Sequence, residues 1–311
     1  MKIVMTGYFP DAARRRIRES FPGEWELAIV SPEDVDGELP TADVLIPEHL
    51  RVDAALLEKA PRLKLVQTGA GYDNVSVADC TECGVQVCNA AGVNAAAVAE
   101  HVMAFLLCYY KNLIVLDRFM KAQGREPMPE YSGAELSRKT IGIIGLGNVG
   151  RKVAEYSRAF GMRVLGCGRN GAALPGAESR SLKALCRESD IVSIHVPLTA
   201  ETRHMINTEV FSIMKKDALL INTSRGAVIE EAQLIRALQD GQIGGACLDV
   251  YENEPLSADS PLRELNNVIL TPHTAGYPDG VLFHEKRCEF FVGNIRRVLL
   301  GELPECRLNT V

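Results

Sequence analysis

The stretch that decides the fold is Ile141-Gly-Ile-Ile-Gly145-Leu-Gly147-Asn-Val-Gly150. A short apolar run leads into the pattern G-x-G-x-x-G, and the residues that follow, 151–160, are typical of a helix. In this context the pattern indicates a dinucleotide-binding βαβ unit. Gly145 would allow a tight turn, Gly147 would let the backbone approach a pyrophosphate, and Gly150 would let the helix pack closely on the strand.

The residues around this loop indicate which dinucleotide it would hold. Asn148 and Val149 would begin the helix, whose N-terminal N–H groups attract phosphate. The next candidate strand, 163–167, is followed by Gly168-Arg169-Asn170, at the place where NAD-binding chains carry an acid that binds the ribose 2′-hydroxyl. Because no acid is present and Arg169 could pair with a 2′-phosphate, the sequence favours NADP(H). An Arg169 that is exposed, or stacked on adenine, would leave NAD(H) open.

Strand-like and helix-like segments alternate on both sides of the loop. Six candidate strands between Thr140 and His273 match a complete dinucleotide-binding sheet: 141–145, 163–166, 190–195, 218–222, 245–249 and 268–270. An earlier series has candidate strands at 3–5, 43–46, 63–67 and 85–88, and candidate helices at 11–20, 53–60 and 94–107. The alternation predicts an α/β protein with mostly parallel sheets. A final helix at 281–300, closed by Gly301, lies after the second series, so the chain is expected to return to its first domain.

Length and composition narrow the class of protein. A chain of 311 residues exceeds what one core usually organises, so two domains are expected. The content of 47% hydrophobic and 24% charged residues is that of a soluble globular protein. A net charge of −6 gives no support for binding to nucleic acid or to an anionic membrane. The N-terminus lacks the pattern of a signal peptide, and the longest apolar run, 102–110, is shorter than a membrane helix, so we expect a cytoplasmic location.

Nine cysteines in such a chain are expected to be reduced thiols. Cys80 and Cys83 form a single C-x-x-C pair, with Cys88 nearby. A second pair or a neighbouring histidine would be needed for a tetrahedral metal site, so we expect ordinary thiols and no metal.

Three polar residues follow neighbouring apolar segments late in the chain. Arg225 lies in Asn222-Thr-Ser-Arg-Gly226, Glu254 in Asp249-Val-Tyr-Glu-Asn-Glu-Pro255, and His273 in Thr271-Pro-His273. The carboxyl ends of parallel strands line one ligand crevice. The sequence therefore predicts a site where an arginine holds a carboxylate, a histidine moves a proton and a glutamate tunes that histidine.

These segments occur in the order found in a known family. The chain resembles the D-isomer-specific 2-hydroxyacid dehydrogenases over nearly its whole length, in LVQTGAGYDN at 65–74, Val98-Ala-Glu-His101, the GLGNVG loop, HVPLT at 195–199, Asn222–Gly226, Asp249–Pro255 and Pro272-His273. The resemblance implies two Rossmann-like domains, each with a parallel sheet flanked by helices, with a cleft between them. Residues 1–96 and 281–311 would form a discontinuous substrate domain, and 97–280 the dinucleotide-binding domain. It also implies a homodimer, formed mainly through the dinucleotide-binding domain and its arm at 124–137.

The resemblance also implies the role of each site residue in an NAD(P)-dependent reduction of a 2-keto acid. Arg225 would bind the substrate carboxylate and carbonyl, His273 would be the general acid, and Glu254 would raise the pKa of His273. The backbone N–H groups of Ala70 and Gly71 would complete carboxylate binding from the other domain, so that domain closure would assemble the site. Asp249 would hold the nicotinamide carboxamide. Together, the cofactor contacts would come from Gly145, Gly147, Asn148, Val149, Gly150, Arg169, Val196, Pro197, Thr202, Thr223, Asp249, His273 and Gly276.

The choice of substrate stays open at this stage. The NADP(H) preference and the short chain resemble glyoxylate/hydroxypyruvate reductases, with a broader 2-keto acid reductase for apolar or aromatic keto acids as the alternative. Pro47 stands where phosphoglycerate dehydrogenases carry an arginine, although Arg51 or His49 could substitute. Phosphite dehydrogenases carry a lysine where this chain has Ala70. Formate dehydrogenases carry an amide side chain where this chain has Glu254. Both activities are therefore disfavoured.

Two further features bear on function. Tyr277 lies in a stretch that departs from the family pattern after the histidine, and it could shape an unusual pocket. His195 is expected to pack near the cofactor, and His101, His204 and His284 are expected to be structural. Some relatives are dinucleotide-sensing transcriptional scaffolds and not enzymes. Against that alternative, we expect no added tails for partner recruitment, and the sequence shows no block of like charge.

Overall fold

The structure is a computed structural model that describes residues 1–123, 133–168, 175–277 and 285–311. The chain divides into two compact units, one formed by Met1–Asn94 with Tyr277–Val311 and the other by Ala95–Gly276. Each unit contains one parallel sheet, of five strands in unit 1 and seven in unit 2. The predicted α/β class with two helix-flanked parallel sheets is confirmed. The assignment of substrate and cofactor binding to the separate units stays a prediction.

Unit 1 is a five-stranded sheet in the order β2-β1-β3-β4-β5. Its strands are β1 (Lys2–Thr6), β2 (Glu26–Val30), β3 (Val44–Pro47), β4 (Leu65–Thr68) and β5 (Gln86–Asn89). Its helices are α1 (Asp11–Ser20), α2 (Ala54–Glu58), α3 (Val77–Glu82) and α10 (Glu285–Leu299). Successive strand residues point to opposite faces, so Ile3 and Met5 join one core cluster while Val4 joins the other.

Helix α10 brings the end of the chain onto unit 1. Its buried residues Cys288, Phe291, Val292 and Ile295 follow a helical period and pack in the same cluster as Ile3. Residues 281–284 of the helix expected at 281–300 lie outside the described residues. Gly301, with a φ of 72°, follows the helix in the left-handed conformation expected of a helix-ending glycine.

Unit 2 is a seven-stranded sheet in the order β12-β11-β10-β9-β6-β7-β8. Its strands are β6 (Thr140–Ile144), β7 (Arg163–Cys167), β8 (Glu178–Ser179), β9 (Ile191–Ile194), β10 (Leu219–Asn222), β11 (Gly245–Leu248) and β12 (Val268–Leu270). Its helices are α4 (Ala95–Tyr110), α5 (Leu113–Gln123), α6 (Asn148–Ala159), α7 (Leu182–Glu188), α8 (Thr208–Ile213) and α9 (Glu231–Gln239). The expectation of six strands was wrong by one, because β8 is a two-residue, exposed edge strand without an apolar pattern.

The register of unit 2 determines where its loops begin. Parallel pairing places Asn222 of β10 beside Leu248 of β11, and Leu248 beside Leu270 of β12. The three loops that follow these strands therefore leave the same edge of the sheet at the same level. Arg225, Glu254 and His273 all lie in these loops.

No group of three or more His, Cys, Asp or Glu side chains in the described ranges is arranged to hold a metal ion. The nine cysteines, all within the described residues, form no disulfide bond; Cys80 and Cys88 are buried, and Cys83 is exposed. None of the helices described is by itself long and apolar enough to cross a bilayer, and α4 and α5 reach that length only as a pair bent by 55°.

Candidate active site

The turn after β10 holds Arg225 at the edge of the sheet. The Asn222 side chain forms this turn: its Oδ1 accepts hydrogen bonds from the N–H (3.0 Å) and the hydroxyl (2.8 Å) of Ser224, and its Nδ2 donates to the Arg225 carbonyl (2.9 Å). Gly226 comes next, and a Cβ there would lie 1.8 Å from the carbonyl carbon of Tyr251. Only glycine fits at 226, so the turn packs directly on the loop that carries Glu254.

Glu254 and His273 form a hydrogen-bonded pair. His273 Nδ1 lies 2.6 Å from Glu254 Oε2, and Glu254 Oε1 accepts a hydrogen bond of 3.1 Å from the Tyr251 N–H. The hydrogen bond to Glu254 raises the pKa of His273 above its ordinary value, against desolvation and the charge of Arg225. Burial tends to raise the pKa of the Glu254 carboxyl, but His273, the Tyr251 N–H and Arg225 together lower it. At neutral pH this pair favours a histidinium beside a carboxylate.

Arg225 lies close enough to the pair for its charge to act on both members. It lowers the pKa of His273 and of Glu254, and its own Nη1 donates to the Ser224 carbonyl at 2.8 Å. The side chain of His273 is 48% exposed, so the proton carrier is accessible at the sheet edge. The structure thus brings together Arg225, Glu254 and His273, the three side chains that the sequence predicted for the site.

Asp249 anchors the loop that carries His273. This carboxylate is only 1% exposed; its Oδ1 accepts from the hydroxyl of Thr271 (2.6 Å) and the N–H of Thr274 (2.9 Å), and its Oδ2 accepts from the N–H of Ala275 (2.9 Å). The backbone carbonyl of Asp249 also accepts the His273 N–H at 2.8 Å. His273 has a φ of 54°, in the left-handed region that non-glycine residues rarely adopt. The contacts of Asp249 hold the loop in that conformation.

The glycine loop connects β6 to α6 with two distinct kinds of glycine. Gly145 has a φ of 96°, and a Cβ there would lie 2.4 Å from the carbonyl oxygen of His195. A Cβ on Gly150 would lie 2.0 Å from the carbonyl oxygen of Gly145, so both glycines are required by the chain itself. A Cβ on Gly147 would meet no described atom within 4 Å. The open space over Gly147, at the N-terminus of α6, fits a bound pyrophosphate.

The other predicted cofactor residues lie in loops of unit 2. Thr202 organises the loop after β9, because its hydroxyl donates to the Pro197 carbonyl at 2.6 Å and accepts from the Thr199 N–H at 2.8 Å. The hydroxyl of Thr223, directly after β10, is buried without a hydrogen-bond partner among the described residues. A buried hydroxyl without a partner is costly, so it is consistent with a ligand atom at this edge. Val196 and Gly276 are described, and Arg169 lies outside the described residues.

The predicted carboxylate-binding loop belongs to unit 1. Ala70 and Gly71 follow β4, where the Asn89 side chain donates to the Ala70 carbonyl at 3.0 Å and the Ala90 N–H donates to the Gly69 carbonyl at 2.9 Å. Tyr277 is also part of unit 1, with the Arg287 guanidinium 5.9 Å from its ring centroid.

Two histidines expected to be structural make specific contacts within unit 2. His101 Nε2 lies 3.1 Å from the hydroxyl of Thr271, and His204 Nε2 lies 2.5 Å from Glu252 Oε1. Sequence reasoning missed both contacts because the partners lie far away along the chain. For the contact of His204 with Glu252, the sequence offered one signal, which is that Glu252 lies two residues before Glu254.

Comparisons with known proteins identify the family of this chain. Residues 103–275 match the family described as D-isomer specific 2-hydroxyacid dehydrogenase, NAD binding domain. A glyoxylate reductase of Aeropyrum pernix is 44% identical over 237 residues, which cover 72% of this chain and 70% of that enzyme. A solved D-lactate dehydrogenase from Aquifex aeolicus, complexed with NAD and lactic acid, is 33% identical, with a TM-score of 0.87 over 96% of both chains. A solved acyclic imino acid reductase in complex with NADPH and D-Arg is 32% identical, with a TM-score of 0.87 over 99% of this chain and 100% of its own.

Proposed function

Because the chain belongs to the D-isomer specific 2-hydroxyacid dehydrogenases and is therefore an NAD(P)-dependent oxidoreductase, we propose that it reduces a small 2-keto acid to a D-2-hydroxy acid. The observation that carries this proposal is the His273–Glu254 hydrogen bond of 2.6 Å beside Arg225. A protonated imidazole and a fixed guanidinium are the two groups that reduction of a carboxylated ketone requires.

The proposed roles follow from the chemistry of each side chain. A dinucleotide held by the glycine loop would supply the hydride. Arg225 binds the substrate carboxylate and draws electron density from the carbonyl, while His273 Nε2 gives its proton to the carbonyl oxygen as that oxygen becomes an alcohol. Glu254 holds His273 through Nδ1, so Nε2 carries the proton toward the substrate. The backbone N–H groups of Ala70 and Gly71 are proposed to bind the other side of the carboxylate.

The proposed cofactor is NADP(H), with NAD(H) as the alternative. The glycine loop would hold the pyrophosphate, supported by the open space over Gly147, and Thr223 would contact the dinucleotide through its buried hydroxyl. Gly168 and Arg169 would set the preference for the 2′-phosphate. Replacement of both, Gly168→Asp with Arg169→Ala, is expected to shift the kcat/KM ratio toward NADH. An unchanged NADPH/NADH ratio would contradict the assignment of these two residues.

The proposed substrates are glyoxylate and hydroxypyruvate, supported by the glyoxylate reductase among the relatives. The test measures initial rates with NADPH and NADH on glyoxylate, hydroxypyruvate, phosphohydroxypyruvate, pyruvate, branched-chain keto acids and phenylpyruvate. The highest kcat/KM is expected on glyoxylate or hydroxypyruvate. A maximum on phenylpyruvate or a branched-chain keto acid would replace this proposal with a broader reductase, and a maximum on phosphohydroxypyruvate would replace it with a phosphoglycerate dehydrogenase.

Arg225 provides the sharpest test of the site. Arg225→Ala is expected to lower kcat/KM by about 10³-fold, because loss of the proposed charged donor to the substrate would remove about 4 kcal/mol of transition-state stabilisation. Dinucleotide affinity, measured by calorimetry, should change little. Arg236→Ala, on the exposed face of α9, is the matched control and should keep full activity. Turnover in Arg225→Ala equal to that of the control would overturn the assignment.

The enzyme is also proposed to act as a cytoplasmic homodimer. Sedimentation equilibrium measures the mass directly, and a monomer at micromolar concentration would contradict the dimer.

The alternative of a dinucleotide-sensing scaffold predicts a different outcome in the assays of turnover and dinucleotide binding. Tight dinucleotide binding without turnover of any keto acid in the panel would favour the scaffold over the enzyme.

A further inference from the structure

His101 lies on α4, behind the loop that carries His273. Its Nε2 is 3.1 Å from the hydroxyl of Thr271, the residue directly after β12. Its ring packs edge-on against Phe105, one helical turn along α4, with the ring centroids 4.5 Å apart and an interplanar angle of 84°. The side chain is 22% exposed. The ring therefore lies between Phe105 of the helix and Thr271 of the loop.

The direction of the hydrogen bonds is fixed by the single proton of Thr271. The Thr271 hydroxyl lies 2.6 Å from Asp249 Oδ1, which as a carboxylate oxygen can only accept. Thr271 therefore donates to Asp249 and accepts from His101, which requires a proton on Nε2 of His101. Desolvation lowers the pKa of His101, against the charge of Asp249 whose Oδ1 lies 3.9 Å away. A neutral ring with its proton on Nε2 meets these conditions.

The chain His101–Thr271–Asp249 ends on the anchor of the His273 loop. Asp249 accepts the N–H groups of Thr274 and Ala275 through its side chain, and the N–H of His273 through its carbonyl. These contacts hold His273 at its positive φ. If Asp249 rotates, the imidazole loses its alignment with Glu254.

We propose that His101 is a positioning residue of this enzyme, which acts through Thr271 on Asp249 and so aligns the imidazole of His273 for proton transfer. This inference rests on the proposed function of His273 as the proton donor. His101 itself lies behind Asp249 and acts only through it.

The test compares two substitutions at one position. His101→Leu removes the donor, and His101→Gln keeps an N–H at a similar distance from Cα. We expect His101→Leu to lower kcat for keto-acid reduction about tenfold, as loss of a supporting hydrogen bond does in other sites. His101→Gln should restore kcat to within about threefold of the wild type. Equal kcat in His101→Leu and the wild type, or no rescue by Gln, would overturn the proposal.

A second measurement reads the alignment without turnover. Histidine-selective NMR titration gives the pKa of His273 in the wild type and in His101→Leu. We expect a lower pKa in His101→Leu, because a misaligned imidazole loses part of its hydrogen bond to Glu254. His204→Leu, which removes a ring from another His–Glu contact of unit 2, is the matched control and should leave the pKa of His273 unchanged. An unchanged pKa in His101→Leu refutes the positioning role, whereas a changed pKa in a protein without turnover refutes only the proposed activity.

Discussion

Two histidine–glutamate pairs depend on the same loop of unit 2. His273 pairs with Glu254 at 2.6 Å and His204 pairs with Glu252 at 2.5 Å, and the two glutamates are two residues apart. The two histidines share an unusual backbone conformation, with φ values of 54° and 53°. Their exposure is also similar, at 48% and 37% of the side chain. The pairs are therefore alike in distance, backbone conformation and exposure, but His273 meets its glutamate through Nδ1 and His204 through Nε2.

The surroundings distinguish the pairs. His273 follows β12 at the carboxyl edge of the sheet, where the charge of Arg225 acts on it and on Glu254. His204 lies in the loop before α8, where its backbone N–H donates to the Ala227 carbonyl at 2.9 Å. A paired histidine is therefore not enough to make a proton donor. Under the proposed function, the neighbouring cation Arg225 distinguishes the pair that would act on a carboxylated substrate.

The largest expected difference between the pairs is in turnover. His273→Asn should lower kcat/KM for reduction by about 10³-fold, because the general acid is lost. Asparagine tolerates a positive φ, so the backbone of the loop should be kept. His204→Asn, the same substitution in the other pair, should stay within about twofold of the wild type, since it lacks the proton-transfer role. Similar losses in both variants would show that the pairs are functionally equivalent.

The next difference concerns the pH dependence of reduction. In the proposed mechanism reduction needs a protonated His273, so kcat/KM should fall as pH rises through the pKa of His273, which the Glu254 hydrogen bond raises. Glu254→Gln removes the negative charge, so that the falling limb should move to lower pH and kcat/KM at neutral pH should drop by about 10- to 100-fold. Glu252→Gln should leave the pH profile in place. An equal shift of the pH profile of kcat/KM in Glu254→Gln and Glu252→Gln would contradict this difference between the pairs.

The smallest expected effect is on the stability of the His204 pair. His204→Asn should lower the free energy of unfolding by only about 0.5–1 kcal/mol, because a partly exposed hydrogen bond is screened by solvent. Denaturant unfolding followed by circular dichroism measures this change. A loss of several kcal/mol would instead assign the His204–Glu252 pair a major structural role.

Some elements of the fold could be predicted from local pattern. The bounds of β12 match the prediction residue for residue, as do those of α1, because apolar periodicity and helix-forming residues mark them clearly. The strand β2 was missed, since its residues are mostly half-buried and lack a clear alternation. Helix α5 was also not predicted.

The candidate site shows the same division between local and distant information. Arg225, Glu254 and His273 could be named because each follows an apolar segment in a recognisable family order. The role of Gly226 could not, because it depends on the backbone of Tyr251 approaching to 1.8 Å of the position of a Cβ. The contact of His101 with Thr271 could not either, since 170 residues separate the partners.

The sequence by itself determined the α/β class, the glycine loop and the chemical identity of the three candidate catalytic side chains, because each depends on residue type and short-range spacing. The tertiary structure alone decided which glutamate each histidine meets. Those pairings join residues 19 and 48 positions apart, for His273 and His204 respectively. The physical reason is the register of β9, β10, β11 and β12. It places the loops that follow these strands at one level of the sheet edge, and so determines which side chains can touch.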